Sequence, residues 1–168
     1  KEKRHPLLPA PAITVCYISG GAGASIVPNE CEAKINVKYL PGENSADIQK
    51  EIRDGIVKEI SSDAWLKRNP PELTGLLNTS PYETSVSNPL VKILKQSVEE
   101  VVGQTKVTGL PSGSDARILN NIGKIPTFIF GPGDLSQAHQ PDESISVLEY
   151  LNAIKIFALT IIRWDNIG

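Results

Sequence analysis

The stretch CEAKINVKYLPGE, residues 31–43, decides the fold of the first part of the chain. From Cys31 to Tyr39 the apolar side chains alternate with charged or polar ones, and Pro41-Gly42 follows almost directly. A period of two is typical of a β-strand with one buried face and one solvated face, and a Pro-Gly pair favours a turn. The sequence therefore predicts a half-buried strand that stops at this turn.

A second strand is predicted just before it, because Ile13–Ile18 is rich in β-branched residues. The glycine-rich segment 20–23 between them is flexible enough to join two paired strands. Its Gly21-Ala22-Gly23 lacks the third glycine of a dinucleotide fingerprint and the Gly-Lys-Ser/Thr of a nucleotide-triphosphate loop. A tight turn is therefore the favoured interpretation over a phosphate loop.

A helix is predicted after the turn, where Asn44 or Ser45 can cap it and Asp47 lies in its first turn. Isoleucines recur at i+4 steps along one face: Ile48, Ile52, Ile56 and Ile60. We expect this stripe to cover the odd-numbered side chains of the 31–39 strand. Leu73–Leu77, which follows Pro70-Pro71, is a plausible edge strand. Antiparallel strands with a helix on one face indicate a small α+β layer.

The second half of the chain has a different pattern. Asn88, Pro89 and Gly103 bracket a helix with an N-cap, an N1 proline and a terminating glycine. Further elements are predicted at Lys106–Leu110 (strand), Thr127–Phe130 (strand) and Ile145–Arg163 (helix). Apolar strands that alternate with helices favour a parallel, buried sheet. The fold class is therefore predicted as α/β, with an α+β part preceding it.

The composition excludes several classes of function. The chain has 168 residues, 17 Lys+Arg against 19 Asp+Glu, 40% hydrophobic and 5% aromatic residues. Mixed, nearly balanced charge and few aromatics argue against a nucleic-acid partner, and the apolar run Ile154–Ile162 is too short to span a membrane. Two cysteines form neither a disulfide framework nor a metal motif, and no leader is recognisable, so we expect a cytoplasmic protein. The absence of methionine indicates a processed or cut product.

Two segments carry candidate chemistry. Ser112, Ser114, Asp115 and Arg117 lie together after a predicted strand, where open parallel sheets bind ligands. No Gly-x-Ser-x-Gly elbow surrounds the serines, so a polar binding loop is favoured over a serine nucleophile. Arg117 could form a simple loop ion pair with Asp115, or its planar fork could bind a substrate carboxylate.

The second segment runs from Phe130 to Glu143 and contains His139, one of two histidines in the chain. An imidazole on a loop after a buried strand can ligate zinc, with an acidic neighbour such as Asp142 or Glu143 orienting it. A hydrogen-bonded or surface histidine is the competing interpretation. His5 lies in an extended charged segment and is expected to be solvated.

The order of short motifs along the whole chain resembles the C-terminal part of one family. That family comprises the dinuclear metallohydrolases typified by acetylornithine deacetylase, succinyl-diaminopimelate desuccinylase, aminoacylase and carboxypeptidase G. The matching motifs are Gly-Gly followed by Ile-Val-Pro (26–28), Cys-Glu-Ala-Lys-Ile-Asn-Val-Lys-Tyr-Leu-Pro-Gly-Glu (31–43), Ser-Asp-Ala-Arg (114–117), Ile-Pro-Thr (125–127), Phe-Gly-Pro-Gly (130–133) and Ala-His-Gln-Pro-Asp-Glu (138–143).

The resemblance implies two domains. Residues 1–79 would be the second half of a ferredoxin-like lid that carries the dimer interface, so a homodimer is implied. Residues 80–168 would be the C-terminal part of a zinc-peptidase-like catalytic domain. The family's His-x-Asp motif, bridging aspartate, Glu-Glu pair and third carboxylate ligand have no counterpart here, so an N-terminal part of the same enzyme is implied as a partner.

The resemblance also implies a reaction, which is metal-assisted hydrolysis of an amide bond in an N-acyl amino acid or small peptide. Two divalent ions, zinc or cobalt, would activate a water. In this chain His139 would be a metal ligand and Glu143 would support it from behind. Substrate-binding residues would be Ser112, Ser114, Asp115, Arg117 and Gly131. No catalytic base lies in this segment, so the isolated chain is expected to be inactive.

Three positions depart from the family pattern. Ser25 replaces a common asparagine that contacts substrate, and Asn36 and Lys38 replace an Asp and an Arg of the lid strand. These changes affect what the lid contributes to substrate binding. The alternative function is a non-catalytic dimerisation or binding module of the same fold.

Overall fold

The computed structural model describes residues 3–166, and it divides them into two compact units. The first unit runs through Tyr82 and includes Gly109–Gly113; the second comprises Glu83–Thr108 and the chain from Ser114 onward. The predicted division into a lid part (residues 1–79) and a catalytic part (residues 80–168) stays a prediction. Residues 1, 2, 167 and 168 lie outside the described residues.

The first unit contains a two-stranded antiparallel sheet, β1 (Ala12–Gly20) and β2 (Cys31–Lys38). Both predicted strands are thus present, and they pair down to Gly20 opposite Cys31. The register shifts between Val15 and Tyr17, which places one extra residue, Cys16, in β1. Such a bulge reverses which face the following side chains point to.

This bulge keeps the apolar side chains of β1 on one face. Ile13 lies opposite Val37, Val15 opposite Ile35, and Ile18 opposite Ala33. Residues directly opposite each other in an antiparallel pair project to the same side. The hairpin therefore has one continuous apolar face, and on the other face the Lys34 ammonium lies 4.8 Å from the Tyr17 ring.

The apolar face of the hairpin is less covered than the sequence predicted. Ile13, Val15 and Ile18 are 63%, 61% and 71% exposed, and Ile35 is 43% exposed. The predicted stripe lies on α1 (Ser45–Ile60), where all four isoleucines are half-buried. Asn44 is the cap of this helix, because its side chain accepts the Ala46 N–H at 2.8 Å.

Pro41-Gly42 forms the turn between β2 and α1. The Glu43 N–H donates to the Leu40 carbonyl at 3.1 Å, and Gly42 has a φ of 85°. Proline followed by a left-handed glycine is the pattern of a type II turn. A short helix that the sequence did not predict, α2 (Ala64–Arg68), completes the unit.

The second unit is built on two helices, α3 (Pro89–Val102) and α5 (Val147–Asp165). The predicted cap holds for α3, since the Asn88 side chain accepts the Leu90 N–H at 2.9 Å and Gly103 follows with a φ of 91°. Between the two helices lie α4 (Ala116–Asn121) and a 3-10 turn, Leu135–Gln137. Within residues 3–166, no helix combines the length and apolarity needed to cross a membrane.

The core of the second unit lies where α3 and α5 meet. Leu94, Val98 and Ile156 form a buried cluster, and Phe128 and Phe130 pack against it. The rings of Phe130 and Phe157 meet edge to face with centroids 5.3 Å apart. Apart from Leu40, every described residue classed as buried lies on α3 or α5.

Three predicted strands are wrong for the described residues: Leu73–Leu77, Lys106–Leu110 and Thr127–Phe130 carry no strand. A strand needs a backbone ladder to a neighbour, and in residues 3–166 only β1 and β2 form one. The apolar segment 127–130 buries its phenylalanines against the helices instead, while Ile129 between them stays 50% exposed. The mixed α/β class holds, but no parallel sheet is formed by this part of the chain.

Candidate functional site

The serine and arginine segment begins in the first unit and continues into the second. Ser112 and Gly113 are exposed and belong to the first unit. The backbone just before them is fixed, because the Lys38 ammonium donates to the Pro111 carbonyl at 3.0 Å and the Gly109 N–H donates to the Leu7 carbonyl at 3.0 Å. Lys38, one of the departures from the family pattern, thus supports this loop.

Ser114, Asp115 and Arg117 form one turn at the start of α4. The Arg117 N–H donates to the Ser114 carbonyl at 3.3 Å. The Arg117 guanidinium lies 3.9 Å from the Asp115 carboxylate, at the limit of an ion pair, and the Asp115 side chain is 95% exposed. A pair that open contributes little energy, so the guanidinium keeps most of its donors for another acceptor.

The Ser114 hydroxyl has an unusual environment. Its Oγ is buried, and among the described residues it has no hydrogen-bond partner. A buried hydroxyl without a partner costs free energy. The turn therefore contains both an underused arginine and an unsatisfied hydroxyl, which is a combination suited to an anionic oxygen ligand.

The histidine loop, residues 131–143, follows a segment that is anchored in the core. Phe130 packs on Phe157, and the chain then turns through Gly131 to Gly133 and enters the 3-10 turn. The Asp134 carboxylate caps that turn by accepting the Ser136 N–H at 2.8 Å. This hydrogen bond holds the pKa of Asp134 below its ordinary value.

Gly131 is exposed, and a Cβ added there would meet no atom within 4 Å. Neither packing nor a left-handed backbone requires glycine at this position. A glycine with open space beside it lets a ligand approach the backbone closely.

His139 has a left-handed backbone, with a φ of 65°, and Asp142 has a φ of 63°. Non-glycine residues rarely adopt this region. The conformation is supported by Glu143, whose carboxylate accepts the His139 N–H at 3.2 Å. The imidazole itself is exposed, and no described residue is hydrogen-bonded to it. The loop thus exposes the His139 imidazole, and Glu143 of the same loop holds the His139 backbone through a hydrogen bond.

Most of the predicted residues therefore form two groups within the second unit, Ser114–Arg117 and His139–Glu143, whereas Ser112 belongs to the first unit and Gly131 to neither group. Within residues 3–166, no three His, Cys, Asp or Glu side chains lie close enough together to hold a metal ion. The other histidine, His5, is half-buried rather than solvated, and its Nδ1 accepts the Leu7 N–H at 3.1 Å. Cys16 and Cys31 are free and exposed.

Sequence reasoning missed Thr84, whose hydroxyl connects α4 to the segment that leads into the histidine loop. The connection spans 36 and 43 residues of sequence, so no local pattern could have indicated it.

Comparison with known proteins gives a consistent family. Residues 12–163 match the family described as Peptidase family M20/M25/M40. A deformylase of N-formyl-4-amino-5-aminomethyl-2-methylpyrimidine from Bacillus subtilis is 30% identical over 163 residues, covering 90% of this chain and 38% of that protein. The same enzyme from Halalkalibacterium halodurans is 25% identical over 92% of this chain and 38% of its own length.

Other relatives carry a second name. An acetylornithine deacetylase from Aliivibrio salmonicida is 32% identical over 149 residues, which are 87% of this chain and 36% of that protein. Among solved structures, an M20 family metallo-carboxypeptidase from Sulfolobus solfataricus superposes with a TM-score of 0.60 at 20% identity, covering 90% of this chain and 35% of that one. The chain thus spans less than two fifths of the length of these relatives.

Proposed function

The chain belongs to peptidase family M20/M25/M40, and from this membership we propose that it is the C-terminal part of a metal-dependent hydrolase. The proposed reaction is cleavage of the amide bond of an N-acyl amino acid or a small peptide. The observation that carries the proposal is the family match across residues 12–163, which includes both candidate groups.

The names of the relatives support an acyl-removing reaction. The two deformylases are named for removing a formyl group from a nitrogen, and the deacetylase for removing an acetyl group. Both are hydrolyses of a small N-acyl amide. We infer the same bond type for this protein and choose the acetylornithine-like substrate, because the Ser114–Arg117 turn offers donors for a carboxylate.

His139 is proposed as a metal ligand. Its imidazole is exposed on a loop anchored through Phe130, and Glu143 holds its backbone from behind. His139 is the one ligand that we propose from this chain, and the described residues contain no cluster of three His, Cys, Asp or Glu side chains that could hold an ion. Two divalent ions, zinc or cobalt, when bound, would lower the pKa of a water for attack on the amide.

The turn at the start of α4 is proposed to bind the substrate carboxylate. Arg117 supplies a planar fork suited to bidentate recognition, and the unsatisfied Ser114 hydroxyl adds a donor. Asp115, whose carboxylate lies 3.9 Å from the guanidinium, is proposed as a further substrate contact of this turn. Within the second unit, Gly131 is proposed as an open backbone position for substrate, and the exposed Ser112 hydroxyl of the first unit stays a predicted substrate contact.

The remaining ligands and the catalytic base would come from other polypeptide of the same enzyme. The chain spans 38% of the length of the two deformylases. Residues 3–166 form no metal-binding cluster of their own. We therefore propose that the 168-residue chain is inactive alone. A homodimer through the first unit is proposed on the exposed apolar side chains of β1, and a cytoplasmic location on the unpaired cysteines.

The test uses the full-length protein with His139→Ala, and His5→Ala as the control, because the chain has two histidines. His139→Ala should lose one ion per protomer after dialysis. Its metal affinity should fall by well more than the roughly 10–100-fold that is typical when a residue hydrogen-bonded to a metal ligand is replaced. Hydrolysis of N-acetyl-L-ornithine should fall with it. His5→Ala should keep both the metal content and the activity.

Two results would contradict the proposal. Unchanged metal content and turnover in His139→Ala would remove the ligand role. A wild-type protein that hydrolyses neither N-acetyl nor N-formyl amides, with metal supplied, would favour the non-catalytic dimerisation or binding module.

A further inference from the structure

We propose that Thr84 is a positioning residue that fixes α4, and with it Arg117, to the core-anchored segment 125–130. The inference rests on the proposed function in one respect, which is that Arg117 binds the substrate carboxylate. All the residues involved belong to the second unit.

The Thr84 hydroxyl makes three hydrogen bonds. It donates to the Thr127 carbonyl at 2.6 Å and accepts the Thr127 N–H at 3.1 Å. It also accepts the Asn120 side-chain amide at 2.9 Å. A hydroxyl has one donor and two acceptor positions, so its hydrogen-bonding capacity is fully used. One side chain thereby satisfies both backbone groups of Thr127 and holds α4 at the same time.

The tie reaches the face of α4 that carries Arg117. Asn120 follows Arg117 by three residues, and residues three apart in a helix lie on the same face. α4 has only six residues, and helices this short are marginal on their own. The position of Arg117 therefore depends on what holds α4 from outside.

The other end of the tie is rigid. Phe128 and Phe130 follow Thr127 along the chain, one on each side of Ile129, and they pack against the Leu94, Val98 and Ile156 cluster. Thr84 thus connects α4 to the core of the unit. The segment 125–130 leads into the histidine loop. The tie therefore also fixes the substrate-binding turn relative to the segment that carries His139.

The backbone contacts between α4 and the segment 125–130 hold the C-terminal end of the helix. They do not hold the face that carries Arg117. The Ile125 N–H donates to the Leu119 carbonyl at 3.0 Å, and Lys124 has a left-handed φ of 54°. Gly123 lies so close that an added Cβ would be 2.7 Å from the Leu119 carbonyl oxygen. These contacts fix the C-terminal end of α4, and Thr84 through Asn120 fixes the face toward Arg117.

The experiment compares Thr84→Val with Thr84→Ser in the full-length protein. Valine keeps the shape and removes the hydroxyl, whereas serine keeps the hydroxyl. Thr84→Val should raise KM for N-acetyl-L-ornithine on the order of tenfold, the effect of losing about one hydrogen bond, with a much smaller change in kcat. Thr84→Ser should restore the wild-type KM. The carboxamide of the same substrate should show no rise in KM.

Two further variants locate the effect. Thr127→Val removes a hydroxyl that donates to the Ile125 carbonyl inside its own segment, and it should leave KM unchanged. Asn120→Ala should raise KM as Thr84→Val does. If Thr84 acts through Asn120, the double variant should be no worse than either single one.

Hydrogen exchange keeps the inference testable if the protein hydrolyses no N-acyl substrate. Exchange in the peptide covering residues 116–125 should be faster in Thr84→Val than in wild type and unchanged in Thr84→Ser. Equal exchange in Thr84→Val and wild type would overturn the inference whatever the activity. An active enzyme whose KM is the same in Thr84→Val and wild type would also overturn it, while leaving the proposed function standing.

Discussion

The β1–β2 hairpin and the α3–α5 pair are both rich in apolar side chains, but they use them differently. The helices bury theirs against each other, as Ile156 at 3% exposure shows, whereas Ile18 of the hairpin is 71% exposed. Two helices packed side by side can enclose a core, but a two-stranded sheet has two open faces. Within residues 3–166 the hairpin therefore depends on its backbone ladder, and the helix pair on burial.

The exposed face of the hairpin is nonetheless organised. The bulge at Cys16 keeps Ile13, Val15 and Ile18 on one side, although a regular strand would have turned Ile18 away. Bulges are features that re-aim side chains. An apolar face assembled in this way is the kind of surface that the proposed dimer requires.

The largest expected effect tests this contrast with one chemical change at two positions. Ile156→Ala should destabilise the protein by about 2–5 kcal/mol, because it leaves a cavity between α3 and α5. Ile18→Ala should cost only about 0.5 kcal/mol, as surface substitutions usually do. The measurement is urea unfolding of both variants and of wild type at one protein concentration.

The two variants can also break the contrast. If Ile18→Ala costs as much as Ile156→Ala in the full-length protein, other polypeptide covers the hairpin face there. Repeating the unfolding at several protein concentrations then separates a second copy from the same chain, because only a dimer shows concentration-dependent stability.

A smaller effect is expected from the polar contact inside the helix pair. Ser97 is fully buried; its hydroxyl donates to the Ile93 carbonyl and accepts from the Arg163 guanidinium, both at 3.0 Å. Arg163 also pairs with Glu100. Ser97→Ala should cost about 1–2 kcal/mol, because it takes an acceptor from a partly buried guanidinium.

Thermal unfolding of Ser97→Ala provides the measurement, with Ser87→Ala as the exposed control. An unchanged melting temperature in Ser97→Ala would mean that Glu100 alone satisfies Arg163. The tie between α3 and α5 would then be apolar only.

The parts of the fold that the sequence predicted are those with local signals. The Asn88 cap, Pro89 and Gly103 mark α3 through contacts within a few residues, and the structure confirms its bounds. The same holds for Asn44 and α1. The strand predicted from Cys31 onward is confirmed as β2, but the buried face that its alternation predicted is not, since Val37 alone among the β2 side chains is half-buried.

The parts that could not be predicted depend on partners far along the chain. Thr127–Phe130 is apolar enough for a strand, but a strand exists only where a neighbour supplies a ladder. Thr84 lies in a segment with no pattern, yet its hydroxyl joins residues 36 and 43 positions away. At the candidate site, the loop positions of His139 and Arg117 left two interpretations open, and the motif resemblance favoured the metal and substrate roles, which remain predictions.

The smallest effect is expected from a charged contact in the first unit, which contains the hairpin. Glu43 makes the polar contacts there, as Ser97 does in the helix pair. The Lys3 ammonium lies 2.7 Å from one Glu43 carboxylate oxygen, and the Leu40 N–H donates to the other at 2.6 Å. The Lys3 contact first and the Leu40 contact second hold the pKa of Glu43 below its ordinary value of 4.5. Because the folded pKa is the lower one, this stabilisation is present above about pH 4.5 and is lost as the pH falls through the folded pKa.

Glu43→Gln cannot titrate, but its amide oxygen can still accept the Leu40 N–H. At pH 7 it should be less stable than wild type by under about 1 kcal/mol, because Lys3 is half exposed and its pair is screened. The difference should shrink as urea unfolding is repeated at successively lower pH below 4.5, because wild-type Glu43 becomes protonated as the pH falls through its lowered folded pKa. Ser97→Ala should cost the same at each pH. A gap between Glu43→Gln and wild type that stays constant with pH would show that the Leu40 turn, and not the charge of Glu43, stabilises this end of the hairpin.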